Sequence, residues 1–410
     1  MLTELRNCTI FDGYDPTLLP GRSILIEDGI IREIAERPGS AATARVVDAG
    51  GRFVMPGLID AHFHAYGVEP NPAHVDRLTP QLRALYARDI LEGALKRGFT
   101  TVRDAAGGDY SLWAGIERGL IPGPRLFYSG LALSQTGGHG DLRAAGHYLE
   151  GAMCACGYCG AMARVVDGVD EMRRAARDQL RDGATQLKLF ISGGVLSPTD
   201  PFWMNQFCED EIRVAVEEAR SRRTYVMAHA HTAEATMRCL RNGVRSIEHA
   251  TAIDAETARA VVAHDAYAVP TLAIIHAIQT AGPSMGLPQV MLDKLAEVAG
   301  HALASIDHLI AAGARIGFGT DLLGLRMMPL QSHEFTLRRQ VMPALDILRS
   351  ATSVNAALLM MEGRLGTVAP GAFADLLVLD GNPLEDIAVL EQPDRLKLVM
   401  KGGTIMVDNL

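Results

Sequence analysis

The sequence lacks a basic run, a long apolar stretch and a recognisable targeting segment. Its 410 residues carry 39 Lys and Arg against 48 Asp and Glu, a net charge of -9, so no positive field would attract nucleic acid. No uninterrupted apolar stretch is long enough to cross a bilayer. The N-terminus has neither the basic flank nor the apolar core of a signal peptide. We therefore expect a cytoplasmic protein that binds neither nucleic acid nor membrane.

Cysteine is scarce as well, with six residues in the whole chain. Cys154, Cys156 and Cys159 form a Cys-x-Cys-x-x-Cys cluster that could indicate a zinc or redox site, but no fourth ligand is obvious nearby. We interpret the cluster as structural or incidental.

Both ends of the chain alternate in the β manner, with short strand candidates separated by turns such as Asp28-Gly29 and Gly402-Gly403. Two β-rich ends around a long middle predict one small β-sandwich built from both termini. The predicted boundaries are residues 1–55 and 366–410 for this sandwich and 56–365 for the middle domain.

In the middle domain, short apolar runs each precede an amphipathic helical pattern, which predicts an α/β fold, a (β/α)8 TIM barrel. An open doubly wound sheet is the rival, but no Gly-x-Gly-x-x-Gly follows the first strand to support nucleotide binding. The predicted strands are Val54–Ile59, Thr100–Arg103, Arg125–Leu131, Gln186–Ile191, Thr224–His229, Arg245–His249, Ala266–Pro270 and Arg315–Gly319.

Polar residues that suit metal binding fall where these predicted strands end, which is where barrel enzymes place their active sites. His62 and His64 follow the first strand and share a face, because side chains alternate along a strand. A lysine, three further histidines and an aspartate occupy other strand ends: Lys188, His229, His231, His249 and Asp321.

Each of these residues has an ordinary interpretation when taken alone. A single strand-end histidine is more often a hydrogen-bonded core residue than a ligand, and Asp321 could begin a helix. Lys188 could be a surface residue that the strand pattern wrongly assigns to the interior, since a buried ammonium is costly unless it is paired or chemically changed. Their joint occurrence at matching strand ends favours a metal site.

Two segments resemble the amidohydrolase superfamily, and the resemblance covers nearly the whole chain. Residues 54–64, VMPGLIDAHFH, resemble the superfamily's first-strand signature. Residues 366–380, GTVAPGAFADLLVLD, resemble its C-terminal return to the β-sandwich.

This resemblance implies two divalent metal ions, with zinc as the default for a histidine-rich site. His62 and His64 would bind the more buried ion, and His229 and His249 the other. Lys188 would be carboxylated and bridge both ions, which removes its buried positive charge. Asp321 would bind the first ion and act as the catalytic acid and base. His231 faces the same way as His229 and could replace it as a ligand.

Residues 134–141, SQTGGHGD, and 226–231, VMAHAH, resemble the imidazolonepropionase-like branch. That branch includes Xaa-Pro dipeptidases, other dipeptide and N-acyl-amino-acid hydrolases, and ochratoxin-hydrolysing amidases, and its members are often homo-octamers. The resemblance makes His139 and His231 substrate contacts that could also donate to an oxyanion, with Arg143 as a guess for a substrate carboxylate. The spacing of Lys188, His229 and His249 is similar to that in the ochratoxin-hydrolysing members. Some dipeptidases have tyrosine at the position of His231, which puts prolidase specificity in doubt.

We therefore expect hydrolysis of the amide bond of an N-acyl-amino acid, a dipeptide or an ochratoxin-like conjugate. A deaminase of the same superfamily is one rival, since Glu234 follows His231 by three residues, although Lys188 would have no role in a one-metal site. A cyclic amidase shares the whole metal site and differs only in its loops. A scaffold without activity is disfavoured because every expected ligand position is filled.

Overall fold

A computed structural model of the protein describes residues 2–36, 44–143 and 158–410. Cys154 and Cys156 lie outside the described residues, and Cys159 is an exposed free thiol. The strands are β1 (Leu2–Ile10), β2 (Leu19–Glu27), β3 (Ile30–Ala35), β4 (Arg45–Asp48), β5 (Phe53–Pro56), β6 (Leu58–Phe63), β7 (Phe99–Asp104), β8 (Arg125–Tyr128), β9 (Ala132–Ser134), β10 (Ala163–Val165), β11 (Leu187–Phe190), β12 (Val226–Thr232), β13 (Ser246–Ala252), β14 (Tyr267–Val269), β15 (Arg315–Ile316), β16 (Leu376–Leu379), β17 (Leu396–Lys401) and β18 (Thr404–Asp408).

The helices lie mostly between the strands of the middle segment. Several begin at a side chain that accepts a backbone N–H of the first turn, such as Thr79, Thr232 and Asp254. None of the described helices is long and apolar enough to cross a membrane. The α-helices are α1 (Pro72–Val75), α2 (Pro80–Lys96), α3 (Tyr110–Glu117), α4 (Val169–Arg181), α5 (Glu209–Ser221), α6 (Ala233–Arg241), α7 (Ala255–Ala263), α8 (Leu272–Ala281), α9 (Gln289–Ala299), α10 (Ala302–Ala312), α11 (His333–Arg338), α12 (Ala344–Arg349) and α13 (Asn355–Leu358).

Strands from both ends of the chain form one eight-stranded sheet in the order β18-β17-β16-β5-β1-β2-β3, with β4 also paired to β1. The two ends meet where β16 pairs antiparallel with β5, for example Leu377 with Met55. One apolar cluster, which includes Leu5, Ile24 and Leu376, packs against this sheet. Strands from the two ends of the chain therefore share one continuous sheet.

The middle segment forms two parallel sheets, β6-β7-β8 and β10-β9-β11-β12-β13-β14-β15. Backbone hydrogen bonds connect the ends of these sheets. Ala61 donates to Phe318 and Asp321 donates to His62, both at 2.8 Å, and Thr185 donates to Tyr128 at 2.8 Å. Parallel strands linked by helices bury both faces of a sheet, and the largest apolar cluster of the protein runs through them. The α/β content and the parallel pairing agree with the predicted fold class.

The first predicted strand, Val54–Ile59, is two strands in the structure. Its first half is β5 of the terminal sheet and its second half begins β6 of the parallel sheet. The break falls at Gly57, where a Cβ atom would lie 2.0 Å from Thr100 Oγ1. A side chain at this position would clash, so glycine lets the chain pass closely from one sheet to the other.

Candidate active site

A cavity opens at the C-terminal ends of the parallel strands. Its floor is polar and comes from five strands or the segments that follow them: β6, β11, β12, β13 and β15. The floor brings together all seven metal candidates predicted from the sequence: His62, His64, Lys188, His229, His231, His249 and Asp321.

One group of ligand atoms on this floor belongs to His62, His64 and Asp321, all within 4.8 Å of one another. Asp321 Oδ1 lies 2.8 Å from His64 Nε2 and 3.3 Å from His62 Nε2. Burial alone would raise the pKa of Asp321, but the neighbouring imidazoles hold it well below its usual range. The Nδ1 atom of His64 is buried with no hydrogen-bond partner. A carboxylate beside two histidine nitrogens fits a divalent metal ion.

The second group consists of His229, His231 and His249, whose ligand atoms also lie within 4.8 Å of one another. In each ring one nitrogen lies within hydrogen-bonding distance of an atom outside the group. His229 Nε2 is 3.1 Å from Gly193 O, His231 Nδ1 is 2.8 Å from Thr251 Oγ1, and His249 Nδ1 is 2.8 Å from Thr271 Oγ1. The other nitrogen of each ring is available to bind an ion. Burial, with further help from neighbouring histidines, holds the pKa of His229 and His249 well below the usual value and lowers that of His231 to about 3. The rings are therefore neutral, as metal binding requires.

Lys188 lies on β11 within electrostatic range of both groups, since its charge acts on His62 as well as on His229. It is 2% exposed. Burial lowers the pKa of its amine to about 8. Among the described residues its Nζ atom forms no hydrogen bond, and this atom lies 5.6 Å from the centre of the Phe190 ring. A side chain that interacts electrostatically with both ligand groups is what a bridging role would need.

A buried ion pair beneath the floor was not foreseen from the sequence. Glu248 Oε2 accepts from His62 Nδ1 at 2.8 Å, and Glu248 Oε1 accepts from Arg103 Nη2 at 2.8 Å. Burial alone would raise the pKa of Glu248, but Arg103 and His62 lower it to about 2. An ionised Glu248 can only accept, so His62 Nδ1 carries a proton, and Nε2 is the ring atom that faces Asp321 and the cavity. The sequence feature that could have indicated this ion pair is a charged residue in each of two buried strands, Arg103 in β7 and Glu248 in β13.

Two of the site residues have unusual backbone conformations. His249 has φ of 70° and Asp321 has φ of 57°, a region that residues other than glycine rarely occupy. Such strain persists only where the surroundings enforce it and is concentrated at functional sites. The backbone of Asp321 is held by the bond to His62 described above.

His139 reaches the cavity from the loop after β9. Its ring stacks on His229, with centroids 4.4 Å apart and an interplanar angle of 19°. His139 Nδ1 lies 2.8 Å from Ser197 Oγ and 3.3 Å from Asp200 Oδ2. The predicted substrate contacts His139 and His231 therefore both line the cavity.

Arg143 is placed differently from the other predicted site residues, because it lines a neighbouring cavity. Its guanidinium binds both carboxylate oxygens of Asp141, at 2.7 and 2.6 Å. Arg143 is thus engaged with Asp141 and is not brought to the histidine floor.

The outer wall of the cavity is apolar and comes largely from helices α8 and α9. This wall consists of Ile274, Ile275 and Ile278 from α8 together with Leu295 and Val298 from α9. Leu142, Met162, Leu196 and Leu323 extend the apolar surface around the opening. Apolar walls around a small polar centre are typical of binding sites for small molecules.

The chain matches the Amidohydrolase family over residues 53–406 and belongs to that family. It is a hydrolase that acts on amide C–N bonds. An ochratoxinase from Aspergillus niger is 36% identical over 373 residues, which cover 86% of this chain and 75% of that protein. Among solved structures, an amidohydrolase is 47% identical over 100% of both chains, with a TM-score of 0.97. A prolidase complexed with N-methylphosphonate-L-proline is 44% identical over 99% of both chains, with a TM-score of 0.95. The resemblance read from the sequence is confirmed.

Proposed function

We propose that this protein is a binuclear metal-dependent amidase that releases an amino acid from an N-acyl-amino acid, a dipeptide or an ochratoxin A-like conjugate. The observation that supports this most directly is the pair of three-ligand groups, with Lys188 buried within electrostatic range of both. A one-metal enzyme would have no use for this arrangement. The similarity to an ochratoxinase and to a prolidase supports the bond type.

The two parallel sheets would be parts of one (β/α)8 barrel over residues 56–365, with residues 1–55 and 366–410 as the β-sandwich domain. The hydrogen bonds from β6 to Phe318 and from Thr185 to Tyr128 support a ring of strands. A barrel would gather ligands from non-adjacent strands at one end, as the floor requires.

In this proposal His62, His64 and Asp321 hold one ion and His229 and His249 hold the other, with His231 as the alternative to His229. Nitrogen-rich donors favour zinc. When bound, the two ions would supply Lewis acidity toward water and toward the scissile carbonyl.

Lys188 is proposed to be carboxylated. The ammonium would first lose one proton to water. The neutral amine would then attack the carbon of carbon dioxide, form an N–C bond as one C=O π bond opens, and release a second proton to water. The product has two oxygens and a negative charge in place of an ammonium. Because the Lys188 amine is buried without a hydrogen-bonding partner among the described residues, this change would remove a poorly solvated positive charge from the floor.

Asp321 is the proposed base that accepts the proton of the attacking water and later passes it to the leaving amine. Its pKa is held well below the usual range, so the carboxylate is ionised, as a proton acceptor must be. His139 and His231 would contact the substrate and donate to the oxygen that gains charge, an interaction worth about 3 kcal/mol in comparable enzymes.

The apolar wall of α8 and α9 favours a substrate with a large apolar group next to the amide. Aromatic N-acyl-amino acids and ochratoxin-like conjugates have such a group, whereas small polar dipeptides would leave the wall exposed. A deaminase is less well supported, because Glu234 is exposed on α6 and does not line the cavity.

The test is a release assay with zinc-loaded protein and a panel of Xaa-Pro dipeptides, N-acyl-phenylalanines, ochratoxin A and aminopurines. Free amino acid and ammonia are both quantified, and Asp321→Asn serves as the control. We expect amino acid release that is lost in the control and is fastest for the aromatic conjugates. Ammonia without amino acid would establish a deaminase, and no release from any substrate would overturn the proposed substrate class.

A further inference from the structure

The loop that follows β11 contacts two histidines of the site at once. Gly193 O lies 3.1 Å from His229 Nε2, while Ser197 Oγ and Asp200 Oδ2 hold His139 Nδ1. The loop also closes on itself, since Gly194 N donates to Asp200 Oδ2 at 2.9 Å. A Cβ atom at Gly194 would lie 2.4 Å from the ring of His139. The conformation of this loop therefore determines where the His139 ring lies.

The hydrogen bonds also determine which nitrogen of His139 carries the proton. Ser197 Oγ donates to Gly194 O at 3.3 Å and so is available as an acceptor. His139 and its neighbours hold the pKa of Asp200 below its usual value against the effect of burial, so its carboxylate accepts as well. Both partners can accept from His139 Nδ1, so Nε2 is the ring atom available to the cavity, as an acceptor in the neutral ring and as a donor in the imidazolium.

A lysine from a distant part of the chain donates hydrogen bonds to this loop. Lys294 of α9 donates through Nζ to Ser197 O at 2.8 Å, to Asp200 O at 3.0 Å and to Ser197 Oγ at 3.2 Å. Its Nζ atom lies 3.8 Å from Asp200 Oδ1, a buried oxygen with no hydrogen-bond partner. The Lys294 side chain is 11% exposed. One ammonium thus binds both residues that hold His139.

The same helix contributes to the apolar wall. Leu295 directly follows Lys294 and lines the cavity, as does Val298 one turn later. Lys294 therefore links the wall that would meet the substrate's apolar group to the loop that orients His139.

We propose that Lys294 is a positioning residue that fixes Ser197 and Asp200, and through them the ring of His139, with Nε2 facing the substrate. Lys294 does not itself line the cavity. This inference rests on the proposed function only in giving His139 a substrate to contact.

The kinetic test is a double-mutant cycle between Lys294→Met and His139→Asn on the best substrate of the release assay. Alone, Lys294→Met is expected to lower kcat/KM about 10- to 100-fold, the effect of a misplaced group near the chemistry. Combined with His139→Asn it should add almost nothing, because the group that it positions is already gone. Lys294→Arg should restore part of the loss.

The matched control is Lys401→Met, another partly buried lysine whose Nζ donates to a backbone carbonyl, that of Gly123 at 2.7 Å, in the terminal sheet. It should leave kcat/KM unchanged. The zinc content of Lys294→Met should equal that of the wild type, since His139 is not a proposed ligand. Additive losses in the cycle, or lost zinc, would show a general structural role and overturn the proposal.

Crystal structures of the wild type and of Lys294→Met provide a second measurement that does not depend on activity. The proposal expects His139 Nδ1 to leave hydrogen-bonding distance of Asp200 in the variant, with β11 and β12 unmoved. An unchanged His139 ring would overturn it. A wild type that releases no amino acid would count against the proposed function alone.

Discussion

At the scale of single residues, Arg103 and Glu248 carry opposite charges where no water reaches them. Both side chains are 0% exposed, and Arg103 also donates to Ala61 O at 2.6 Å and to Ser246 Oγ at 3.2 Å. Two ions are costly to remove from water, and their mutual attraction offsets this cost only when the geometry and the further hydrogen bonds are good. The pair therefore tolerates loss of either partner poorly.

Arg103→Met is expected to destabilise the protein by about 3–5 kcal/mol, because it leaves Glu248 buried without a compensating charge. Urea unfolding monitored by circular dichroism measures this change. Arg88→Met is the control, since Arg88 forms an exposed ion pair with Glu92 four residues along α2 and should cost no more than about 0.5 kcal/mol. Equal effects of the two variants would contradict the structural role of the buried pair.

Lys188→Ala is expected to lower the bound zinc below two ions per chain and to abolish amide hydrolysis, because the proposed bridging oxygens are lost. Added acetate should restore part of the activity by supplying a carboxylate in the space of the missing side chain. Zinc content by mass spectrometry and the release assay measure these effects. Lys96→Met, at an exposed position on α2, is the control, and full zinc content in Lys188→Ala would argue against the bridge.

The site could be predicted from the sequence to the extent that polar residues interrupt apolar strands. His62, Lys188, His229 and His249 stand out in this way, and the structure places them on one floor. Asp200 and Lys294 could not be found by this route. They lie in a loop and on a helix, where charged residues are ordinary, and their importance arises only from the fold that brings them to His139.

At the scale of secondary-structure elements, α8 and α9 form the wall opposite the histidine floor. Ile275 is only partly buried and lines the cavity, so its side chain is available to a substrate. It is therefore a better probe of specificity than Ile278, which is 1% exposed and belongs to the core.

Ile275→Ala is expected to lower kcat/KM about tenfold or more for substrates with a large aromatic acyl group, because it removes apolar contact area. Values for N-acetyl substrates should change little. Val262→Ala on α7 is the control, since Val262 is 44% exposed and lies outside the wall. Equal losses for large and small acyl groups would place Ile275 outside the region that recognises this group.

Strand positions could also be predicted from the sequence, since each of the eight expected strands overlaps an observed one. Their ends were less accurate. His229 was expected to end the fifth strand, but β12 continues to Thr232, because residues that face a polar site lack the apolar pattern that marks a strand. The join between β5 and β6 was missed because both are buried and apolar.

At the scale of the whole molecule, the proposed ions would connect strands that are far apart in sequence. His62 lies near the start of the middle segment and Asp321 towards its end, yet His62 Nε2 and Asp321 Oδ1 are only 3.3 Å apart. Ions bound only by the folded state stabilise it in proportion to their affinity. The oligomeric state and the cytoplasmic location stay predictions from the sequence.

Removal of metal by a chelator is expected to lower the free energy of unfolding by about 4 kcal/mol where free zinc had been 1,000 times its Kd. Differential scanning calorimetry with and without chelator measures the fall in Tm. His62→Ala should be much less sensitive to the chelator, whereas His74→Ala, at an exposed position, should respond like the wild type. A chelator effect that is the same in all three would place the stabilising ions elsewhere.

The pairing of β5 with β16 also has a consequence for biosynthesis. The residues that pair with Phe53–Pro56 are more than 300 positions later in the chain. At the ordinary speed of a ribosome, of about 5–20 residues per second, the N-terminal strands would wait roughly 15–60 s for their partners. Throughout that time the nascent chain exposes an apolar strand edge, which favours edge-to-edge association with other chains until translation has nearly finished.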